Sequence, residues 1–315
     1  MQKNSYPKIS TVTPSYNQRK FIEYNIKSVI NQKYPNYEHI IIDNCSTDKT
    51  IEILKKYPHI KWISEQDKGQ SDALNKGLEM ATGEIIGWQN ADDYYLPSSF
   101  HVAVDHLRKN WNSEIVYRDY LWVDVNGKLI QHRKEINFDN FIFEYLHFCY
   151  IPSTSTFFRR IIIEEGNYFD VNFHFAMDFE YFLRLYKKNY HFSHINKFIS
   201  AFRLHDSVKS FVQAEKQKIE HRNALLLHNE GLNKIKLLCG SYMIIGRLLM
   251  DRPGSARLGG TGGMRHAIAY SAAVPLFFVA DQLAREQFRT HDVLRVIIGF
   301  GMAMLLWRIF WRFFS

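Results

Sequence analysis

Cysteine is scarce. Cys45, Cys149 and Cys239 are the three in 315 residues; being odd in number and far apart, they exclude a disulfide framework and a Cys-x-x-Cys metal site, and the expected setting is a reducing cytoplasm. No Gly-x-Gly-x-x-Gly follows the first predicted strand and no Gly-Lys-Ser/Thr loop occurs anywhere, so neither a dinucleotide fold nor a P-loop is expected. Met1 to Lys8 carry charge and a proline without an apolar signal core, and nothing there marks secretion. Internal repeats and low-complexity tracts are absent before residue 251. From Asp251 to Ser315 there is no lysine and no asparagine, although the preceding chain is rich in both. That segment has eight arginines against four acidic residues, which is net +4 of the chain's formal +8. The concentration of charge at one end suits an anionic membrane surface, and no nucleic-acid partner is expected.

What is present reads as alternating strands and helices. Lys8 to Thr13 is a strand of alternating apolar and polar residues that runs into Pro14-Ser15-Tyr16-Asn17. Ile22, Ile26, Val29 and Ile30 recur at helical spacing. Tyr37 to Ile42 is a second strand ending in Asp43-Asn44, and a helix over Thr50 to Tyr57 follows. Ile60 to Ser64 is a third strand, and the loop from Glu65 to Asp72 opens a helix with Leu74, Gly77, Leu78 and Ala81 on one face. Ile85 to Trp88 is a short buried strand followed by Asn90-Ala91-Asp92-Asp93. Short connections between these elements predict a mostly parallel sheet flanked by helices, with the polar clusters after each strand along one edge, where such sheets bind ligands. Further on, Leu96-Pro97 opens a helix, Glu114 to Tyr117 is a strand, Asn126-Gly127 marks a hairpin, Ser153 to Phe158 is an edge strand, and Asp178 begins a helix that buries Phe179, Phe182, Leu183 and Tyr186. Phe198 to His205 is a strand, and a charged helix runs from about Gln213 to Asn229.

Asp92 and Asp93 are adjacent carboxylates at a strand end. They repel one another unless a cation sits between them, and oxygen ligands suit Mg²⁺ or Mn²⁺. A polar turn whose Asp caps the next helix is the competing reading. Asp178, a carboxylate at a helix start, has the reach of a general base, against a plain N-cap role. Tyr16, Asp43 and Asn44 offer an aromatic face, an acceptor and an amide to a nucleoside, with a core role for Tyr16 equally open. Asp72 either orders its loop or meets a ribose. Arg203 is a phosphate partner or a solvated surface charge, and Trp88 is expected in the core.

In this order the motifs resemble family 2 glycosyltransferases with a GT-A fold, the group that includes many bacterial surface-polysaccharide enzymes, over most of residues 8 to 210. Val12 to Asn17, Pro14 included, resembles the family's nucleotide-binding turn, and Asp43-Asn44-Cys45-Ser46-Thr47-Asp48-Lys49-Thr50 its acidic segment. Asn90-Ala91-Asp92-Asp93 stands where the family has its metal motif, Ala176 to Arg184 where it has the helix of its catalytic base, and Arg203-Leu204-His205 where it has its closing motif. The resemblance implies Asp178 as base and His205 as a further metal or phosphate ligand beside Asp92 and Asp93. It implies a nucleotide-diphosphate sugar donor, a glycan or lipid-linked acceptor, and inversion at the transferred sugar. Asn90, near the ribose, and Asn44, near the base, are amides where the family has acids, and Arg118 replaces a usual glycine. A catalytically silent sugar-nucleotide or glycan-binding module on the same fold is the alternative.

The expected organisation is a GT-A domain over 1–235 and a helical, hydrophobic and basic region over 236–315. Arg285, Arg289, Arg295, Arg308 and Arg312 with Trp307 and Trp311 suggest peripheral or monotopic attachment at the inner face of the cell membrane. The uncharged run Val296 to Trp307 has 12 residues, against the about 20 that a spanning helix needs. A buried helical pair completing the domain, or a fused foreign segment, are the other readings. Oligomeric state is open.

Overall fold

In the computed structural model, which describes residues 6–145, 149–205 and 213–228, three successive isoleucines set the centre of a sheet. Ile40, Ile41 and Ile42 are buried on both faces of strand β2 (Tyr37–Asp43). β2 pairs in parallel with β1 (Ile9–Ser15) on one side and β3 (Lys61–Ser64) on the other, and β1 pairs in parallel with β4 (Ile85–Trp88). Helices α1 (Ile22–Ile30), α2 (Thr50–Leu54) and α3 (Gln70–Met80) make the crossovers. β1 was expected to alternate, yet its Ser10, Thr11 and Thr13 are as buried as Ile9 and Val12, because a parallel strand is covered on both faces. Two of these hydroxyls find partners on β2: Ser10 donates to Glu38 at 2.6 Å, and Thr13 lies 3.0 Å from His39 Nε2.

Beyond β4 antiparallel pairs join the parallel ones, so the sheet is mixed there. The chain continues through β5 (Tyr94–Tyr95), α4 (Ser99–Lys109), β6 (Ile115–Val123), β7 (Leu129–Arg133), α5 (Asn140–Tyr145), β8 (Phe157–Arg159), α6 (Ile161–Glu164), α7 (Met177–Lys187), β9 (Phe192–Arg203) and α8 (Ala214–His228). The strand order is β3-β2-β1-β4-β8-β6-β9-β5, with β7 paired to β6. β8 is antiparallel to both β4 and β6, while β6 and β9 run parallel. β8 is therefore an interior strand, not the edge strand expected around Ser153 to Phe158. Its Phe157 and Phe158 point to opposite faces and both are buried, a demand that only an interior position meets.

Helix α3 lies close on β1 because Gly77 has no side chain: a Cβ there would stand 2.3 Å from Val12 Cγ1. Helix α7 is buried nearly all round, with Phe179, Phe182 and Leu183 joined by Tyr181 and Leu185. The described residues belong to the first of two units, Met1–His228. The expected region over 236–315 lies outside the described residues. Among the described residues no helix is long and apolar enough to cross a membrane.

Candidate active site

The parallel register puts the carboxyl ends of β1, β2 and β3 side by side, with Ser15 opposite Asp43 and Asp43 opposite Ser64. Asp43 is fully buried and accepts hydrogen bonds from the hydroxyls of Ser15, Ser46 and Ser64 and from the Ser46 N–H. Asp43, expected beside a nucleoside, thus ties three strand ends together in this structure. Asn44 bridges the next gap, its Oδ1 accepting the Asp67 N–H at 3.0 Å. Asn17, with φ 53°, donates its N–H to Ser46 and accepts the Thr47 N–H, so the turn carrying Pro14 and Tyr16 is laced to the β2 loop. Tyr16 is 57% exposed, which removes the core reading and leaves its ring open as a platform. Asp72 accepts the Lys68 N–H at 3.0 Å and lies 3.6 Å from Lys76 Nζ, and so orders its own loop.

The Asn90 to Asp93 turn is closed by the Asp93 N–H on the Asn90 carbonyl and is gripped by Asn25, whose amide donates to the carbonyls of Asn90 and Asp93. Asp93 is buried. Its Oδ1 accepts the Arg203 N–H at 3.0 Å and its Oδ2 the Asn90 amide at 3.3 Å. Burial first, then the charge of Asp92, pushes its carboxyl well above the ordinary range. The expectation that Asp92 and Asp93 share a cation is thereby corrected: Asp93 faces into the turn. The amide at 90 has a physical reason as well. Asn90 Oδ1 accepts from Gln70 at 2.9 Å and from the Trp88 indole at 3.0 Å while its NH₂ donates to Asp93, and an ionised Asp could not donate.

The partner of Asp92 is His205. Nε2 of His205 lies 2.9 Å from Asp92 Oδ2, and its ring stacks on Phe21 at 5.0 Å. Two ligands at right angles about 2.1 Å from one cation would stand about 3 Å apart, so one carboxylate oxygen and one imidazole nitrogen fit two adjacent positions of an octahedral Mg²⁺ or Mn²⁺ site. Among the described residues no three His, Cys, Asp or Glu side chains converge as a complete site. Such cations commonly take their remaining ligands from substrate phosphates and water.

Arg203 is neither a phosphate partner nor a surface charge in this structure. It is buried, with the rings of Phe21, Tyr24 and Tyr94 5.0, 5.3 and 5.3 Å from its guanidinium carbon. Its Nε donates to the Asp92 carbonyl and its Nη1 to the carbonyls of Val125 and Asp124. Cation–π attraction and charged hydrogen bonds hold the Asn90 to Asp93 turn to the β6–β7 hairpin. Arg118 likewise is buried, donating to the Val102 carbonyl at 2.6 Å on the α4 side of the sheet, while its neighbour Asp119 pairs with His194 at 2.8 Å.

Asp178 occupies the first turn of α7, after Ala176 at the N-cap position, so it is not the cap. Its Oδ1 accepts the Phe179 N–H at 2.9 Å, and burial, reinforced by the charge of Glu220, pushes its carboxyl up to about 6. α3 connects this end to the other. Gln70 holds Asn90, and the adjacent Ser71 donates to the Phe173 carbonyl at 2.8 Å. Sequence reasoning missed Phe21, Asn25, Gln70 and Glu220. The apolar spacing of the first helix, the polar loop Glu65 to Asp72 and the charged helix from about Gln213 cover these positions without saying what each side chain meets.

Comparison with known proteins agrees with this geometry. A sequence profile described as "Glycosyl transferase family 2" matches residues 10–185. The chain is 29% identical over 235 residues to chondroitin synthase of Escherichia coli, covering 73% of this chain and 33% of that protein. It is 41% identical over 96 residues to the putative teichuronic acid biosynthesis glycosyltransferase TuaG of Bacillus subtilis, covering 29% and 38%. To the hyaluronan synthase of Pasteurella multocida it is 27% identical over 237 residues, covering 73% and 24%. The chain thus spans roughly a quarter to two fifths of the length of these curated relatives. Among solved structures, S. aureus TarS 1–349 in complex with UDP-GlcNAc superposes with a TM-score of 0.59 at 18% identity, covering 85% of this chain and 80% of that one. The mannosyltransferase PcManGT from Pyrobaculum calidifontis, in complex with GDP-Man and Mn²⁺, gives 0.57 at 16%, covering 96% and 81%. At these identities the likeness is one of fold.

Proposed function

The chain belongs to glycosyl transferase family 2, and from that premise we propose that it is a metal-dependent inverting glycosyltransferase, moving a sugar from a nucleotide-diphosphate donor to a hydroxyl of a glycan or lipid-linked acceptor. The observation that carries this reading is the Asp92–His205 pair, a partly built cation site on the sheet edge where donors bind in such folds. A bound Mg²⁺ or Mn²⁺ would neutralise charge on the departing diphosphate. The chain's own residues supply the rest. Tyr16 offers a face to the nucleoside; Asn44 and Asp72 keep the loops around it in place; Asp92 and His205 are the residues that would hold the cation at the diphosphate end. Asp178 takes the proton of the acceptor hydroxyl as its oxygen attacks the anomeric carbon. The new C–O bond forms as the bond to the diphosphate breaks on the opposite face, so the configuration inverts.

The names of the relatives, synthases of chondroitin and hyaluronan and an enzyme of teichuronic acid biosynthesis, support a surface polysaccharide as the product class. The aromatic and arginine-rich pattern of residues 236–315 supports attachment of that region to an anionic membrane surface, where a lipid-linked acceptor would lie. Titration calorimetry with UDP-, GDP- and dTDP-sugars, with and without Mn²⁺, tests the donor site. At least one donor is expected to bind more tightly with the metal; donor binding that ignores Mn²⁺ would remove the cation argument.

A further inference from the structure

Helix α7 begins without a cap of its own. The first N–H groups of a helix lack intrahelical acceptors, and an Asp, Asn, Ser or Thr usually accepts one of them. Here the N-cap position is Ala176, and no side chain at that position caps the helix. Within the first turn the Phe179 N–H finds Asp178, and the backbone leading into the helix is held from α8. One oxygen of Glu220, Oε2, receives the backbone N–H groups of His174, Phe175 and Ala176 at 2.9, 2.7 and 2.9 Å. On the same helix, Gln217 donates to the Phe175 carbonyl at 3.1 Å and Lys216 Nζ lies 5.5 Å from the Phe175 ring centre. At the far end of α8, His228 reaches the buried Glu180 of α7 at 2.8 Å. The clamped segment also meets the donor side of the site: the Phe173 carbonyl accepts from Ser71, and a Cβ on Gly69 would come within 3.0 Å of His174 Nδ1.

Resting on the assignment of Asp178 as base, we propose that Glu220 is a positioning residue for the reaction, fixing the backbone of residues 174–176 and with it the direction from which the Asp178 carboxylate meets the acceptor hydroxyl. The titratable groups acting on Asp178 are Glu220 from α8 and Cys149 from the segment before β8. The charge of Glu220 adds to burial in holding the Asp178 proton, so its removal favours the ionised base at lower pH.

The test uses the full chain with Glu220→Ala, Glu220→Gln and Asp178→Asn, reading nucleoside diphosphate released from the UDP-, GDP- and dTDP-sugars in the presence of Mn²⁺. Glu220→Ala is expected to lower kcat about tenfold or more with donor KM unchanged, the scale on which small misplacements act. Glu220→Gln keeps an acceptor oxygen and is expected to restore most of kcat, with the acid limb of its pH profile moved to lower pH. Hydrogen exchange reads the cap without turnover: amides 174–176 should exchange faster in Glu220→Ala while the middle of α7 keeps its protection. The proposal is overturned if the acid limb stays in place in Glu220→Gln, or if amides 174–176 exchange as in the parent. An inactive Asp178→Asn with an unmoved Glu220→Gln profile rejects Glu220 alone. A fully active Asp178→Asn rejects the base assignment and this proposal with it.

Discussion

The role proposed for Asp178 rests on its proton affinity. Burial lifts the carboxyl from an ordinary 3.8 to about 6, closer to the working pH, where a general base is most effective. Two outcomes follow from the same shift. Turnover should decline below about pH 6 as the base is protonated, and Asp178→Asn should cut kcat by a factor on the order of 10² to 10⁴ while donor affinity, read by calorimetry, holds. The folded state binds this proton more tightly than the unfolded chain, so stability is lost as pH rises through the interval from 3.8 to about 6. Asp178→Asn should therefore raise Tm at pH 8 more than at pH 4; an equal change at both would contradict the buried carboxylate. Asp92 and His205 could be named together because the family resemblance points to both, and the structure sets them 2.9 Å apart. Arg203, Asp43 and Asp93 were not legible in their roles, since each is charged in sequence and buried in space. Their partners, three aromatic rings, three serines and a backbone N–H, come from distant elements that no local pattern brings together.

Elements were easier to read than their neighbours. Every parallel strand from β1 to β4 and the helices between them followed from apolar spacing, because local pattern and tertiary burial agree there. β8 was misplaced because three residues show no periodicity, and only its two buried phenylalanines mark it as interior. The contact between α3 and β1 makes a prediction at this scale. Gly77→Ala places a Cβ 2.3 Å from Val12 Cγ1, and overpacking of this kind costs about 1–3 kcal/mol. The midpoint of denaturant unfolding should fall accordingly. Donor affinity should weaken too, since Gln70 and Ser71 at the start of α3 hold the two halves of the site. An unchanged midpoint would mean that α3 stands further from the sheet.

For the molecule as a whole, charge and composition divide the chain near residue 251, and the proposed membrane attachment belongs to the later part. A truncation ending near Leu249 should bind donor and stay in the supernatant with anionic liposomes, while the full chain pellets with them. If the full chain stays in the supernatant and the truncation unfolds, the later part completes the domain and the membrane reading fails. The described part has its own consequence for how the protein comes to be active. Arg203 reaches back 110 residues to Asp93, and His205 113 residues to Asp92. Closing loops of this length is slow relative to local structure. On the ribosome, β1 to β4 and the Asp92 turn are synthesised more than a hundred residues before β9 arrives to complete them. A nascent or prematurely terminated chain therefore has the Asp92 turn without the Arg203 and His205 that close on it.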